Sequence, residues 1–290
     1  MSRIVVLGDL NLDVHARQPA TLLPGDEARD RLHAAPGGSA GTFARTAAAH
    51  GASVAFLGCV GTDLIGDLLI RSLTDAGVDT YVQRAAQPSG VILALERGDE
   101  RSMICSRGAN DGIRPDRIDA SAFDGATHLH ISGYTFLSEA QRLTLDHVLT
   151  VAGARALSIS IDPPPANLIR AHGVAGFLDR LPDGTWLFPN RTEGELLADL
   201  RNPESIVRWL SDRFPVGALT LGRDGAIAWA ADRRHTAAPK PIESADPTGA
   251  GDAFAGAFVA AYLAHPDIAS ACDAACAAAR AHLAAGIPPS

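Results

Sequence analysis

The stretch Asp246-Pro247-Thr248-Gly249-Ala250-Gly251-Asp252-Ala253-Phe254-Ala255-Gly256-Ala257-Phe258 joins a bend to an apolar, alanine-rich helix. Pro247 and the two glycines make the bend, and the helix opens directly from it. The first-turn amides of a helix have no partner within the helix, and its dipole places partial positive charge there. Gly249 and Gly251 allow a ligand to approach the backbone closely. The amides of Gly249, Ala250 and Gly251 thus describe an anion hole of the size of a phosphoryl group. Asp252 follows at once, which places a carboxylate beside that hole where it can take a proton from a hydroxyl. An acid in the first turn of a helix also serves as a simple dipole complement or cap, and these residues alone leave both readings open. The run is not a dinucleotide fingerprint, because its third glycine, Gly256, falls too late and no strand immediately precedes it.

Outward from this bend, short apolar or β-branched runs alternate with longer helical ones. Strands are expected at 4–7, 54–57, 128–132, 157–161, 186–188, 218–221 and 226–230, and helices at 39–50, 64–76, 139–152, 203–213, 250–263 and 268–284. Gly51 and Gly77 stand where the first two helices should stop. Such alternation predicts an α/β domain, one unit over residues 1–290, with a mostly parallel sheet covered by helices. Ligands in such sheets bind beyond the C-terminal strand ends. Two segments break the alternation. Residues 12–32 carry polar residues and Pro24-Gly25-Asp26 without helical periodicity. Residues 81–106 hold two strand-like runs, 91–95 and 102–105, around the turn Arg97-Gly98-Asp99-Glu100, which is a hairpin signal. The two segments together form either a small β-lid or ordinary surface insertions.

Composition removes several functions. The net charge of −8 argues against a nucleic-acid binder, which needs a basic face. No apolar run has the length of a membrane span, and the four-residue apolar core after Met1-Ser2-Arg3 is too short for a signal peptide. Cys59, Cys105, Cys272 and Cys276 match no zinc or disulfide framework, so a reducing cytoplasm is the expected location. Lys240 is the only lysine among 25 basic residues. A Walker A loop and a protein-kinase strand lysine are therefore both ruled out, and Lys240, between Pro239 and Pro241, is poorly placed for a Schiff base. Phosphate, if handled, is met by amides, arginine and a metal ion.

Further pieces fall in a fixed order: Gly8-Asp9-Leu10-Asn11-Leu12-Asp13, Pro36-Gly37-Gly38-Ser39-Ala40-Gly41-Thr42-Phe43-Ala44, Gly58-Cys59-Val60-Gly61-Thr62-Asp63-Leu64-Ile65-Gly66, Pro189-Asn190-Arg191-Thr192-Glu193 and Thr220-Leu221-Gly222-Arg223-Asp224-Gly225. With the run 246–252 they resemble the ribokinase-like, or PfkB, carbohydrate kinases over nearly the whole chain. The resemblance implies a three-layer sandwich with a β-lid. It also implies an ATP-dependent kinase that phosphorylates a hydroxymethyl group of a small sugar of the ribose, fructose or ketodeoxygluconate type. On that reading Asp252 is the base and Gly249, Ala250 and Gly251 form the anion hole. Asp13, Gly37, Gly38 and Thr42 hold the sugar, and Arg107 touches substrate or only returns the chain to the main domain. Asn190, Thr220, Gly222 and Gly225 meet the nucleotide, and Glu193 and Asp246 belong to Mg²⁺. K⁺ is an optional further cation, and a homodimer through the lid is carried over from the family.

Read without the family, Asn190 and Glu193 offer either a hard oxygen site or a helix cap. Asp162, before Pro163-Pro164-Pro165, either touches a metal or its waters or merely ends a strand. Thr42 stands where many sugar-binding relatives carry Asn, which shortens the hydrogen-bond fork to substrate. The competing functions are a nucleoside kinase of the same fold, for adenosine, inosine or pseudouridine, and a non-catalytic sugar-binding regulator. Tyr81 is the only aromatic residue in the two lid segments, which argues against a site that stacks a base.

Overall fold

Apolar strands buried on both faces build the sheet that positions the site. The computed structural model describes residues 2–17, 32–97, 100–238 and 248–285. Asp246, Lys240, most of 12–32 and the turn residues Gly98 and Asp99 lie outside the described residues. The strands are β1 (Arg3–Leu7), β2 (Asn11–Arg17), β3 (Leu32–Gly37), β4 (Ser53–Gly61), β5 (Asp79–Ala85), β6 (Gly90–Arg97), β7 (Glu100–Ser106), β8 (Ala126–Ser132), β9 (Ser158–Asp162), β10 (Trp186–Leu187), β11 (Val216–Thr220), β12 (Ala226–Ala230) and β13 (Arg233–Ala237). The helices are α1 (Ser39–Ala49), α2 (Leu64–Asp75), α3 (Tyr134–Leu137), α4 (Arg142–Ala154), α5 (Ala166–His172), α6 (Val174–Leu178), α7 (Arg191–Ala198), α8 (Pro203–Ser211), α9 (Ala250–Ala264) and α10 (Ile268–Ala285).

Nine strands form one sheet in the order β13-β12-β11-β10-β9-β8-β1-β4-β5. It is parallel from β11 to β5, and β12 and β13 add antiparallel at one edge. β1 lies between β8 and β4, so the chain departs to both sides of it, and crevices open at the strand ends on such a reversal. One face carries a core that includes Phe43, Phe254, Phe258 and Cys272 from α1, α9 and α10. The other buries Phe123, Phe136, Phe177, Leu210 and Trp229. Helices on both faces of a mostly parallel sheet make three layers.

A second sheet of four strands, ordered β3-β2-β6-β7, stands apart from the first. β6 and β7 are the hairpin expected from the sequence. β2 and β3 pair antiparallel, and β2 runs parallel to β6. The expected lid segment 81–106 needs correction at its start. Asp79–Ala85 is β5, parallel to β4 at the edge of the large sheet, and the small sheet takes up the chain only at Gly90. This edge strand is half-buried over most of its length, with Val82 against one core and Tyr81 against the other, and the polar residues around them make Asp79-Thr80-Tyr81-Val82-Gln83-Arg84 read as surface chain. Tyr81 therefore belongs to the large sheet, where it packs against the core. No helix among the described residues is long and apolar enough to cross a membrane.

Candidate active site

The expected functional residues gather where strand ends of the large sheet meet the small sheet. At Gly249 the chain turns left-handed, φ +74°, and α9 begins at the next residue. A side chain there would be strained by its φ, and its Cβ would stand 2.7 Å from His282 Nε2. His282 of α10 donates its Nε2–H to the Thr248 carbonyl oxygen at 2.9 Å, so α10 latches the turn from behind. Asp252 lies in the first turn of α9, half-buried. Thr42 of α1 is buried, and its Cγ2 lies 3.5 Å from where a Gly249 Cβ would stand. The glycine turn and the Thr42 helix are thus neighbours.

Asp13 projects from β2 onto the Gly37-Gly38 turn. A Cβ at Gly37 would fall on its carboxylate, which is the close approach that calls for glycine here. The Gly38 amide donates to that carboxylate. Burial lifts the Asp13 carboxyl to about 6, with His15 opposing and Asp252 adding to the rise. Asp13 on the small sheet and Asp252 on α9 therefore stand in one electrostatic field.

On the other side of Asp252 are two more acids. Asp162, the last residue of β9, shares a hydrogen bond with the Asp252 carboxyl. Burial first, then Asp252 and Glu193, hold Asp162 well above the usual carboxylate range. Glu193 is turned back on its own helix: Oε2 accepts from the Asn190 amide at 2.9 Å, and Oε1 accepts from Asn190 Nδ2 at 2.6 Å. Asn190 Oδ1 in turn accepts from the Glu193 amide at 3.0 Å, completing a capping box on α7. Burial and the nearby Asp252 push the Glu193 carboxyl up to about 8, against the hydrogen bonds from Asn190. Tyr134, at the start of α3, feels Asp252, Asp9 and Glu193 together, and burial is the main cause that raises its hydroxyl.

The cap reading of Asn190 and Glu193 is therefore realised. No group of three or more His, Cys, Asp or Glu among the described residues is spaced to ligate one metal ion. The donor chemistry nonetheless fits a hydrated hard cation. Asp162, Asp252 and Glu193 are oxygen donors, burial and their neighbours' charge raise Asp162 and Glu193, and Mg²⁺ keeps most of its waters and takes few protein ligands.

Thr220 reaches this end of the sheet through a bridge with Asn190, and its amide donates to the Pro189 carbonyl at 3.0 Å. Gly222 and Gly225 shape the exposed turn that follows, with the Leu221 amide closing onto the Gly225 carbonyl at 2.7 Å. Arg107, read from the sequence either as a substrate contact or as part of the return into the main domain, stands at that return. Its guanidinium is divided between Asp9, at 2.7 and 3.2 Å, and Asp111, at 2.9 Å, where it ties the strand returning from the small sheet to the end of β1. Asn110 closes the same junction by donating to Asn11 Oδ1 and accepting from the Leu10 amide.

Sequence reasoning missed Arg45, Tyr134 and His282. Arg45 was one arginine among 24, and His282 one histidine among ten, with no spacing to mark either. Their positions follow from the packing of α1 and α10 against α9.

The large sheet with its small four-stranded companion is the ribokinase-type α/β fold. The family model for pfkB family carbohydrate kinase matches residues 1–285, and the chain belongs to that family. Members of it are ATP-dependent sugar or nucleoside kinases, and this chain is an enzyme of that class. It is 28% identical over 278 residues to a ribokinase of Bacillus subtilis, covering 93% of this chain and 89% of that one. It is 29% identical over 293 residues to a 2-dehydro-3-deoxygluconokinase of Thermoproteus tenax, covering 96% and 87%. Among solved structures, a provisionally named ribokinase II of E. coli, in complex with ATP and Mg²⁺, superposes with a TM-score of 0.85 at 23% identity, covering 98% of this chain and 93% of that one.

Proposed function

We propose that the protein transfers the γ-phosphoryl group of ATP to a hydroxymethyl group of a small sugar of the ribose, fructose or ketodeoxygluconate type, with Asp252 as the base. The observation that carries this reading is the position of Asp252. It stands in the first turn of α9 beside the Gly249 turn, within the field of Asp13 on one side and hydrogen-bonded to Asp162 on the other.

In this reading Asp13 and the Gly37-Gly38 turn hold the sugar so that one hydroxyl points at Asp252. Asp252 accepts the proton as that hydroxyl attacks phosphorus in line. The amides of Gly249, Ala250 and Gly251 face the transferring group, and the α9 dipole favours its negative charge. Such transfers rest on positioning and charge stabilisation rather than on covalent work by the protein. Asn190, Thr220, Gly222 and Gly225 line the nucleotide side. A bound Mg²⁺ would neutralise phosphate charge near Asp162 and Glu193; since Glu193 already spends both oxygens on Asn190, it acts there through the metal's waters. The small sheet covers the sugar side and keeps water from the reaction.

A sugar is favoured over a nucleoside because the described residues of β2, β3, β6 and β7 include no Phe, Tyr or Trp to stack a base. Pairing of two copies through the small sheet is part of the proposal. Leu32, Met103 and Ile104 are large apolar residues exposed on its strands, and sedimentation would report the dimer. The function is tested by ADP release over D-ribose, D-fructose, 2-keto-3-deoxygluconate and nucleosides, with and without K⁺. Asp252→Asn should abolish turnover and spare binding of ATP, and unchanged turnover would end the base assignment.

A further inference from the structure

Arg45 lies one helical turn beyond Thr42 on α1 and folds back toward the start of its own helix. Its Nη2 donates to the Pro36 carbonyl oxygen at 2.9 Å and to Thr42 Oγ1 at 3.2 Å. These two contacts fix the guanidinium against the chain that enters the Gly37-Gly38 turn. Its Nη1 ends beside Gly41, 3.3 Å from where a Cβ there would stand. That nitrogen is shut off from solvent and meets no acceptor among the described residues.

This placement is costly on three counts. A buried charged donor without an acceptor loses its hydration and regains nothing. The dipole of α1 opposes a cation folded onto the first turn. Burial also works against the charged guanidinium, while the Asp13 and Asp252 carboxylates favour it. Asp13 carries the complementary defect: its Oδ1 is buried with no hydrogen-bond partner among the described residues. One site therefore holds an unpartnered donor and an unpartnered acceptor, each fixed by other contacts.

We propose that Arg45 is a substrate-contacting residue that sets specificity, its Nη1 donating to one hydroxyl of the sugar while Asp13 Oδ1 accepts from the adjacent hydroxyl. The pair selects a vicinal diol. It also selects an uncharged one: the Asp13 and Arg45 charges offset each other, and Asp252 would repel an acidic group brought in beside them. Thr42, whose hydroxyl accepts from Nη2, is the post that aims the guanidinium. The inference rests on the sugar-kinase reading above and narrows its substrate.

ADP release is measured for wild type, Arg45→Met and Arg45→Gln with D-ribose and 2-deoxy-D-ribose at saturating ATP and Mg²⁺. The 2-hydroxyl belongs to every diol of the furanose ring, so its loss breaks the proposed pair. Wild type should favour D-ribose by about 10-fold or more in kcat/KM, the scale of one charged hydrogen bond. Arg45→Met should lose a comparable factor on D-ribose through its KM, keep its KM for ATP, and treat the two sugars nearly alike. Arg45→Gln, which retains a neutral donor, should fall between. An unchanged preference in Arg45→Met overturns the proposal, as does a joint rise of the ribose and ATP KM values with a lowered melting temperature in both variants. Wild type that releases no ADP with any sugar instead removes the sugar-kinase reading itself, and with it this inference.

Discussion

The Asp162 carboxyl at the end of β9 shares a hydrogen bond with the Asp252 carboxyl in the first turn of α9. Burial first, then the charge of Asp252 beside it, raise the Asp162 carboxyl, and a cation bound there would offset both effects. Asp162→Asn leaves Asp252 a neutral partner and removes one charge from the side where Mg²⁺ would bind. The expected result is an apparent Mg²⁺ affinity weakened by about 10-fold, the scale of losing a partner that acts through bound water, with the sugar KM unchanged. An activity titration against Mg²⁺ that superposes on wild type would sink the assignment.

Glu193 gives a stability signature in the absence of nucleotide and metal. Its folded carboxyl is raised to about 8, mainly by burial, above the ordinary carboxylate value of the unfolded chain. The stability it contributes is complete at pH below the unfolded value and is lost as pH rises toward 8, because the unfolded chain ionises there and the folded one does not. Glu193→Gln removes this dependence. Between pH 5 and 8, wild type should weaken relative to Glu193→Gln by up to about 1.4 kcal/mol per pH unit, read by urea denaturation. Parallel pH profiles for the two proteins would contradict the raised carboxyl.

An opposite dependence is built into the centre of the sheet. His128 Nδ1 and Nε2 lie 2.7 Å from Ser158 Oγ and Ser160 Oγ, and His130 Nδ1 lies 2.9 Å from the same Ser160 oxygen. His130 stacks on Phe43 with ring centroids 3.5 Å apart. Burial holds His128 at about 3 and drives His130 well below its usual value, so both rings are neutral in the fold. Their stability is complete above the unfolded histidine value and is lost as pH falls below it. From pH 6.5 down to 5, unfolding should become easier by up to about 1.4 kcal/mol per pH unit for each ring. His128→Asn should make that decline shallower; an equal slope in both proteins argues against the neutral ring.

Much of this was legible in the chain because local chemistry agreed with the fold. The Gly51 and Gly77 helix stops, the β6–β7 hairpin pairing and the Asn190–Glu193 cap are each decided within a few residues. The Gly249 bend was legible as an anion hole or a cap, and its place at the start of α9 beside Thr42 supports the anion hole proposed above. The misses are tertiary. β5 looks polar because an edge strand is only half-buried, and Arg45 matters because its own helix brings it back over Gly41. Arg107 carried two readings in the sequence, and its pairs with Asp9, just after β1, and with Asp111, just after β7, hold it at the junction between the sheets.

His282 is the last case, and it acts through another residue. Its Nε2–H reaches the Thr248 carbonyl from α10, holding the turn whose amides are proposed to face the transferred group. A displacement of about 1 Å at such a turn costs on the order of 100-fold in rate. His282→Ala frees the carbonyl and lets the turn move away from Thr42. The expected outcome is a kcat lowered by about 10-fold or more with the sugar KM little altered, because Asp13 and Arg45 are untouched. His282→Gln can still donate to the same carbonyl and should recover part of the rate. A purely structural histidine would lower the melting temperature in both variants and leave kcat per folded molecule intact, and that pattern would remove the latch from the mechanism.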